Sequence, residues 1–290
     1  MAPPVTATLR SLVAELEADA SLRDPAESRL RLDALDRLEA YVPGADESGD
    51  PDTRAQAEAL RSRLEEIDRL SCEAIRDEIR CGSGGEALRR QVLASRDTAA
   101  PEPAHGEGYD SLDTLVARVL HFELSDPVVS TLDPEMVPYQ PTPARHVFAL
   151  LDSLQLTAED TLVDLGSGLG LVPLLTAICT PARAVGIELE AAYIECARRC
   201  ARELNVERAT FVRGDARDAD LSQGTVFYLY TPFTGAVLRD MLDALSRQAE
   251  RRPIRVCAYG PCAAVVVREP WLRPVGAPAN AAITVLTSGG

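Results

Sequence analysis

Residues Val163 to Gly170 spell V-D-L-G-S-G-L-G, an apolar run tipped by an acid and followed by glycine at every second position. An extended pattern before it (Thr161–Leu165) and a helical one after it (Leu169–Ile178) predict a strand–turn–helix unit. Glycine in such a turn lets the chain bend sharply and lets a ligand approach the backbone with no Cβ in the way. The spacing then limits the ligand. A dinucleotide turn reads G-x-G-x-x-G. Counted from Gly166, its third glycine position holds Leu171, and counted from Gly168 it holds Pro173. An NAD-linked oxidoreductase is therefore disfavoured.

Around this turn the chain alternates. Strands are predicted at 161–165, 183–188, 209–213, 225–230 and 254–259, with helices at 169–179, 190–204 and 234–248 between them. Strands separated by helix-length spacers predict an α/β, doubly wound, mostly parallel sheet. The end differs: Trp271–Val275 and Ala281–Thr287 are two β-type runs separated only by Gly276-Ala277-Pro278-Ala279-Asn280. That is a hairpin, so a seven-stranded sheet ends with at least one antiparallel strand.

Ahead of the sheet, residues 1–96 carry helical periodicity and no strand signal. Leu9, Leu12, Val13 and Leu16 mark one helix, and Leu32, Leu35 and Leu38 a second, ended by Pro43-Gly44. An acidic loop, Ala45–Pro51, leads to a long third helix with Leu60, Leu64, Ile67 and Ala74 on one face, which Cys81-Gly82-Ser83-Gly84-Gly85 stops. Leu88, Val92 and Leu93 give a fourth. The segment Asp97–Gly108, rich in proline and glycine, reads as a linker. The expected organisation is an all-α N-terminal domain at 1–97, a linker at 98–108 and a catalytic domain at 109–290. Within the last, Ser111–Leu120 and His146–Leu154 are further helices.

Bulk composition narrows the setting. No apolar run approaches the roughly 20 residues of a membrane helix, and the N-terminus lacks a secretory pattern. The seven cysteines form no C-x-x-C and have no histidine partners, so neither a disulfide framework nor a metal site is expected, and a reducing, cytoplasmic setting is. Cys196 and Cys200, at i and i+4 on one helix, read as buried thiols. The net charge of −15 disfavours nucleic acid and anionic membrane as partners, although Arg198, Arg199 and Arg202 cluster on one helix. Every basic residue is arginine; the chain has no lysine.

The pattern D-x-G-x-G-x-G resembles the first motif of the class I S-adenosylmethionine-dependent methyltransferases, whose sheet ends in an antiparallel hairpin. The resemblance runs from about Tyr139 to Thr287, half of the chain. It implies S-adenosyl-L-methionine as cofactor, held by Asp164, Gly166, Ser167, Gly168 and Gly170 at the turn. Asp164, at a strand's carboxyl end, would orient the methionine ammonium, the plainer alternative being an acid that fixes the loop. Glu188 lies 24 residues further on in V-G-I-E-L-E. A carboxylate there can accept from both ribose hydroxyls; Glu190 beside it suits a helix start. In R-G-D-A-R-D, Asp215 resembles the acid that accepts the adenine amine, with the Ala216 N–H beside it, or else it forms a turn.

Two further segments complete the expected site. Tyr139-Gln140-Pro141-Thr142-Pro143 precedes the first strand, and Tyr139 and Thr142 could fold over the methionine end of the cofactor. The alternative is a helix start with Thr142 as cap and Pro143 at the first helical position. In adenine-N6 methyltransferases the fourth strand ends in N/D-P-P-Y/F. Here Thr231-Pro232-Phe233 echoes it with threonine for the acid or amide. Tyr230, Thr231 and Tyr259 are the residues expected to line the acceptor. The order Y-x-P-T-P, D-L-G-S-G-L-G and G-I-E is also similar to the non-SET histone lysine methyltransferase family in its cofactor motifs, while that family's strand-four asparagine pair is replaced by Tyr230-Thr231. The methyl acceptor, protein or small molecule, is left open with a lean to an amine nitrogen, since no histidine lies at a strand tip to serve as base. The competing reading is a non-catalytic cofactor-binding or interaction protein on a silent methyltransferase fold. The N-terminal helices are expected to cap the pocket or recruit substrate.

Overall fold

Strands that are covered on both faces must be apolar along nearly their whole length, and two such strands form the centre of the sheet. In the computed structural model, which describes residues 8–40, 51–97, 108–124, 134–275 and 282–289, these are β1 (Thr161–Leu165) and β4 (Val226–Tyr230). They are flanked by β2 (Arg183–Glu188), β3 (Ala209–Arg213) and β5 (Arg255–Tyr259), with β6 (Leu272–Pro274) and β7 (Thr284–Ser288) at one edge. The order across the sheet is β3-β2-β1-β4-β5-β7-β6. The first five strands run parallel, and β7 inserts antiparallel between β5 and β6. The predicted terminal hairpin therefore forms; its turn lies outside the described residues.

The strands alternate their side chains between two cores. Phe227 and Leu229 join Val163, Leu165, Val256 and Ala258 under the helix α9 (Gly235–Ala249), which contributes Met241, Leu242 and Leu245. Tyr228 joins Leu162, Cys257 and Tyr259 on the opposite face, under α6 (Ala144–Leu154), α7 (Leu171–Cys179) and α8 (Ala191–Glu203). Each fully buried Leu or Phe of this kind contributes about 1.5–3 kcal/mol. The same alternation places Asp164, between Val163 and Leu165, on the face of Tyr228, its register partner on β4.

The N-terminal helices are α1 (Leu9–Ala18), α2 (Ser28–Glu39), α3 (Pro51–Arg80) and α4 (Gly84–Asp97). Leu12, Val13, Leu16, Leu60 and Leu64 make a small core of their own. It is pinned by the fully buried Arg31, whose guanidinium meets Asp68 at 2.6 Å and donates to the Asp24 and Pro25 carbonyls. The second half of α3 and all of α4 behave differently. Ile75, Ile79, Leu88 and Val92 belong to the same apolar cluster as α6, α7 and α5 (Ser111–Leu120). The core thus continues across the boundary expected between the two domains. The expected linker lies outside the described residues except for Asp97 and Gly108.

Candidate functional site

The glycine spacing has a direct backbone cause. Gly166, Gly168 and Gly170 adopt φ of 83°, 52° and 85°, the left-handed region that a Cβ disfavours. Surroundings exclude a Cβ as well: it would meet Pro232 at Gly166, the Tyr139 ring at Gly168, and Phe211 with Ala197 at Gly170. The turn is stitched to the tip of β2, because the N–H groups of Gly166 and Ser167 donate to the Ile187 carbonyl at 2.9 and 3.0 Å. Glu188 completes the stitching: its carboxylate accepts from Gly168 N–H and from Glu190 N–H, each at 2.9 Å.

A cavity of about 650 Å³ opens above these strand ends, well within the range that holds a cofactor-sized ligand. Of the predicted residues, Tyr139, Thr142, Asp164, Gly166, Ser167, Glu188, Asp215, Ala216, Tyr230 and Thr231 line it. Gly168 and Gly170 support it from behind, under Tyr139 and Phe211. Tyr259 stands one layer back, its ring 4.4 Å from that of Tyr230. Phe233, quoted in the β4 motif, lines it too; lining residues that sequence reasoning passed over are Tyr193, Tyr228, Arg217 and the stretch Met136–Pro138. Tyr228 was within reach, since it lies two residues before Tyr230 and so on the same strand face.

Asp164 is only 3% exposed. Burial, and after it the Glu188 carboxylate nearby, push its carboxyl well above the ordinary range. It thus faces the cavity as an acid that would gain from a cationic neighbour. Ser167 Oγ, also on the wall, is buried without a hydrogen-bond partner among the described residues. A buried orphan hydroxyl is costly, and a polar ligand in the cavity would satisfy it. Asp215 caps the short 3-10 turn Ala216–Asp218 by accepting from Arg217 N–H at 2.8 Å. The Arg217 guanidinium, 2.6 Å away, holds its carboxyl below the ordinary range. It is therefore a turn acid and a cavity acid together.

A strap over the cavity comes from the residues before α6. Met136 bridges to Phe233, Val137 N–H donates to the Pro232 carbonyl at 3.1 Å, and the Glu135 carboxylate accepts from Val237 N–H at 2.9 Å. Tyr109 anchors its far end through a 2.8 Å bond to the Pro141 carbonyl. Thr142 does not cap α6. The cap position is Pro143, and the Ala144 N–H is satisfied by Asp113 at 2.7 Å. The Thr142 hydroxyl instead pairs with Tyr228 Oη at 2.6 Å in a buried contact, and burial pushes the Tyr139 and Tyr228 phenols well up.

At the tip of β4, Thr231 has φ of 40°, a strained value for a β-branched residue. Its hydroxyl donates to the Tyr259 carbonyl at 3.0 Å and accepts from Cys262 N–H at 3.1 Å, tying β4 to β5. Among the described residues, none of helices α1 to α4 contributes to the lining. Helix α4 meets α7 at its C-terminal end, where Gly85 packs against Ile178 and Cys179, away from the glycine turn. The described parts of the N-terminal helices therefore do not cap the pocket, one of the two roles expected of them. Nor do Arg198 and Arg199 form a free basic patch: they donate to the carbonyls of Phe211 and of His121 and Glu123.

A family model described as Histone methylation protein DOT1 matches residues 138–224. No curated protein matches the chain. Among solved structures, a methyltransferase from Geobacter sulfurreducens matches with 17% identity and a TM-score of 0.41, over 68% of this chain and 94% of its own. An RNA methyltransferase from Salinibacter ruber in complex with S-adenosyl-L-homocysteine matches with 28% identity and a TM-score of 0.40, over 51% and 92%. A Pyrococcus abyssi tRNA (uracil-54, C5)-methyltransferase matches with 18% identity and a TM-score of 0.39, over 51% and 39%. Sheet order, glycine turn and family match define a class I S-adenosylmethionine-dependent methyltransferase, with S-adenosylmethionine as its cofactor. Its cofactor half is similar to the histone methylation family. That match ends at residue 224, before β4, and so covers the cofactor motifs and stops short of the acceptor end. The expectation that nucleic acid is disfavoured as a partner gains no support from these comparisons.

Proposed function

We propose that this protein transfers the sulfonium methyl group of S-adenosylmethionine to an amine nitrogen of a protein or small molecule. Asp164 orients the methionine ammonium, Glu188 accepts from the ribose hydroxyls, and Asp215 with the Ala216 N–H reads the adenine edge. Gly166, Gly168 and Gly170 admit the ligand to the backbone, Ser167 Oγ gains its missing partner, and Tyr139 and Thr142 close over the methionine end. The observation that carries this reading is the buried Asp164 facing the cavity beside Glu188 on the neighbouring strand tip, with no ion pair to either among the described residues.

The bound cofactor supplies a methyl group already activated by its neutral thioether leaving group. The chain's own work is to bind, align and exclude water. Tyr230 and Thr231 wall the acceptor side, and Tyr259 positions Tyr230 from behind. Because the Thr231 hydroxyl is committed to Tyr259 and Cys262, a silent cofactor-binding protein is the competing reading. We read the setting as cytoplasmic, on seven cysteines that are all free; no helix among the described residues is long and apolar enough to cross a membrane. The test is calorimetry with S-adenosylhomocysteine and NAD, followed by labelled cofactor in cell extract. Binding of the first with transfer into any fraction supports an enzyme. Binding without transfer supports the silent reading, and binding of NAD alone overturns both.

A further inference from the structure

We infer that Tyr228 is a positioning residue of the cofactor site. Through its buried hydrogen bond to Thr142 it fixes the strap, and with it Tyr139, over the methionine end of the ligand. This inference rests on the methyltransferase reading above and gives a role to a residue that reading does not use.

The composition of the strap calls for such an anchor. Pro138, Pro141 and Pro143 bring no backbone N–H to its second half. Side-chain hydroxyls from remote parts of the chain fasten it instead. Tyr109 holds the Pro141 carbonyl at 2.8 Å in an exposed contact. Tyr228 holds Thr142 at 2.6 Å, with Tyr228 1% and Thr142 4% exposed. The buried bond is the stronger of the two, because burial removes the competition from water.

Tyr228 is a fixed point. It sits at the middle of β4, with Asp164 of β1 and Cys257 of β5 as register partners on its two sides. Its ring lies in the apolar cluster under α6 and α7. A side chain packed on every flank cannot follow a moving strap, so the strap is placed by it. Three residues before Thr142, the Tyr139 ring packs over Gly168 and stands 5.1 Å from the Tyr193 ring, centroid to centroid. Both tyrosines line the cavity. Only Gln140 and Pro141 separate Tyr139 from Thr142, and the proline ring fixes one of the backbone angles between them. A shift at Thr142 is therefore passed to Tyr139. The bond's part in binding can be told from its part in stability. Removing one hydroxyl strands the other in a buried place, whereas removing both strands neither.

The experiment uses the full chain and compares Tyr228→Phe, Thr142→Val, Thr142→Ser and the double variant Thr142→Val/Tyr228→Phe with wild type. Calorimetry measures S-adenosylhomocysteine and 5′-methylthioadenosine, which keeps the nucleoside and the thioether but lacks the amino-acid end. Melting temperatures are recorded alongside. Affinity for S-adenosylhomocysteine should fall about tenfold in Tyr228→Phe and in Thr142→Val, as the loss of one hydrogen bond allows. It should fall no further in the double variant, because the two hydroxyls act as one unit. Thr142→Ser keeps the hydroxyl and should stay within about twofold of wild type. Methylthioadenosine should bind every variant within about twofold of wild type, since the strap covers the other end. The double variant strands no hydroxyl, so it should melt above either single one while its affinity stays low; it carries the test if a single variant fails to fold. Wild-type affinity in Tyr228→Phe would overturn the inference, as would affinity that recovers with the melting temperature in the double variant. Losses that add in the double variant would place Tyr228 on the ligand directly, and an equal loss of methylthioadenosine would show a general loosening; either overturns it. Wild-type protein that binds neither ligand would remove the methyltransferase reading itself, and this inference with it.

Discussion

The Glu188 carboxylate at the tip of β2 accepts the backbone N–H of Gly168 across the glycine turn, at 2.9 Å. The residue proposed to hold the ribose therefore also holds the loop that admits the cofactor. Removing it should cost binding twice over. Charge-assisted hydrogen bonds contribute about 1.5–3 kcal/mol each, so Glu188→Ala should weaken S-adenosylhomocysteine binding on the order of 100-fold by calorimetry. Glu188→Gln, which keeps one acceptor oxygen, should lose less. Wild-type affinity in Glu188→Ala would remove both roles.

Asp164 should make cofactor binding and stability depend on pH in opposite senses. Its carboxyl is raised by burial and by Glu188, so between its unfolded and folded values the native state binds more protons than the unfolded chain. Stability from this group is full below the unfolded value, near 3.9, and falls as pH rises through the folded one. A cationic ligand favours the ionised form, so affinity should climb over that same window with release of a proton. Asp164→Asn should flatten both profiles, as read by melting temperature and by calorimetry in buffers of different ionisation enthalpy.

Gly168→Ala should damage the site through the backbone alone. Its φ of 52° disfavours any Cβ, and the added methyl would run into the Tyr139 ring. The expected loss is about 1–3 kcal/mol of stability, with Tyr139 displaced and S-adenosylhomocysteine affinity reduced at least tenfold. An unchanged melting temperature together with unchanged affinity would contradict the packing of Tyr139 over the turn.

The N-terminal helices should prove part of the fold's stability, because Leu88, with 0% exposure, packs in the same cluster as α5, α6 and α7. Leu88→Ala should cost about 2–5 kcal/mol in urea unfolding. Deleting residues 1–97 should leave a chain that unfolds well below the full protein, and a truncated protein melting at the full-length temperature would refute the shared core. Separately, Asp68→Ala strands the buried Arg31 and should cost about 3–5 kcal/mol, again read from urea curves.

Much of the architecture was legible from residue order. The strands at 161–165, 183–188 and 209–213 have the bounds their apolar runs predict, because period and flanking turns act over a few residues. The glycine turn, and the places of Asp164 and Glu188 at the ends of β1 and β2 and of Asp215 after β3, were legible for the same reason: local backbone geometry demands glycine, and period fixes where a strand ends. What only the tertiary structure decided involves partners distant in the chain. Thr142 could cap a helix by local rules, yet its hydroxyl goes to Tyr228, 86 residues away. Thr231 was expected to meet a substrate, but a contact 28 residues off takes its hydroxyl proton. The strap over the cavity and the core shared between α4 and α7 arise in the same way. Short-range sterics and periodicity are written in neighbouring residues, whereas the partner of a buried polar group or an apolar face is chosen only when packing brings remote segments together.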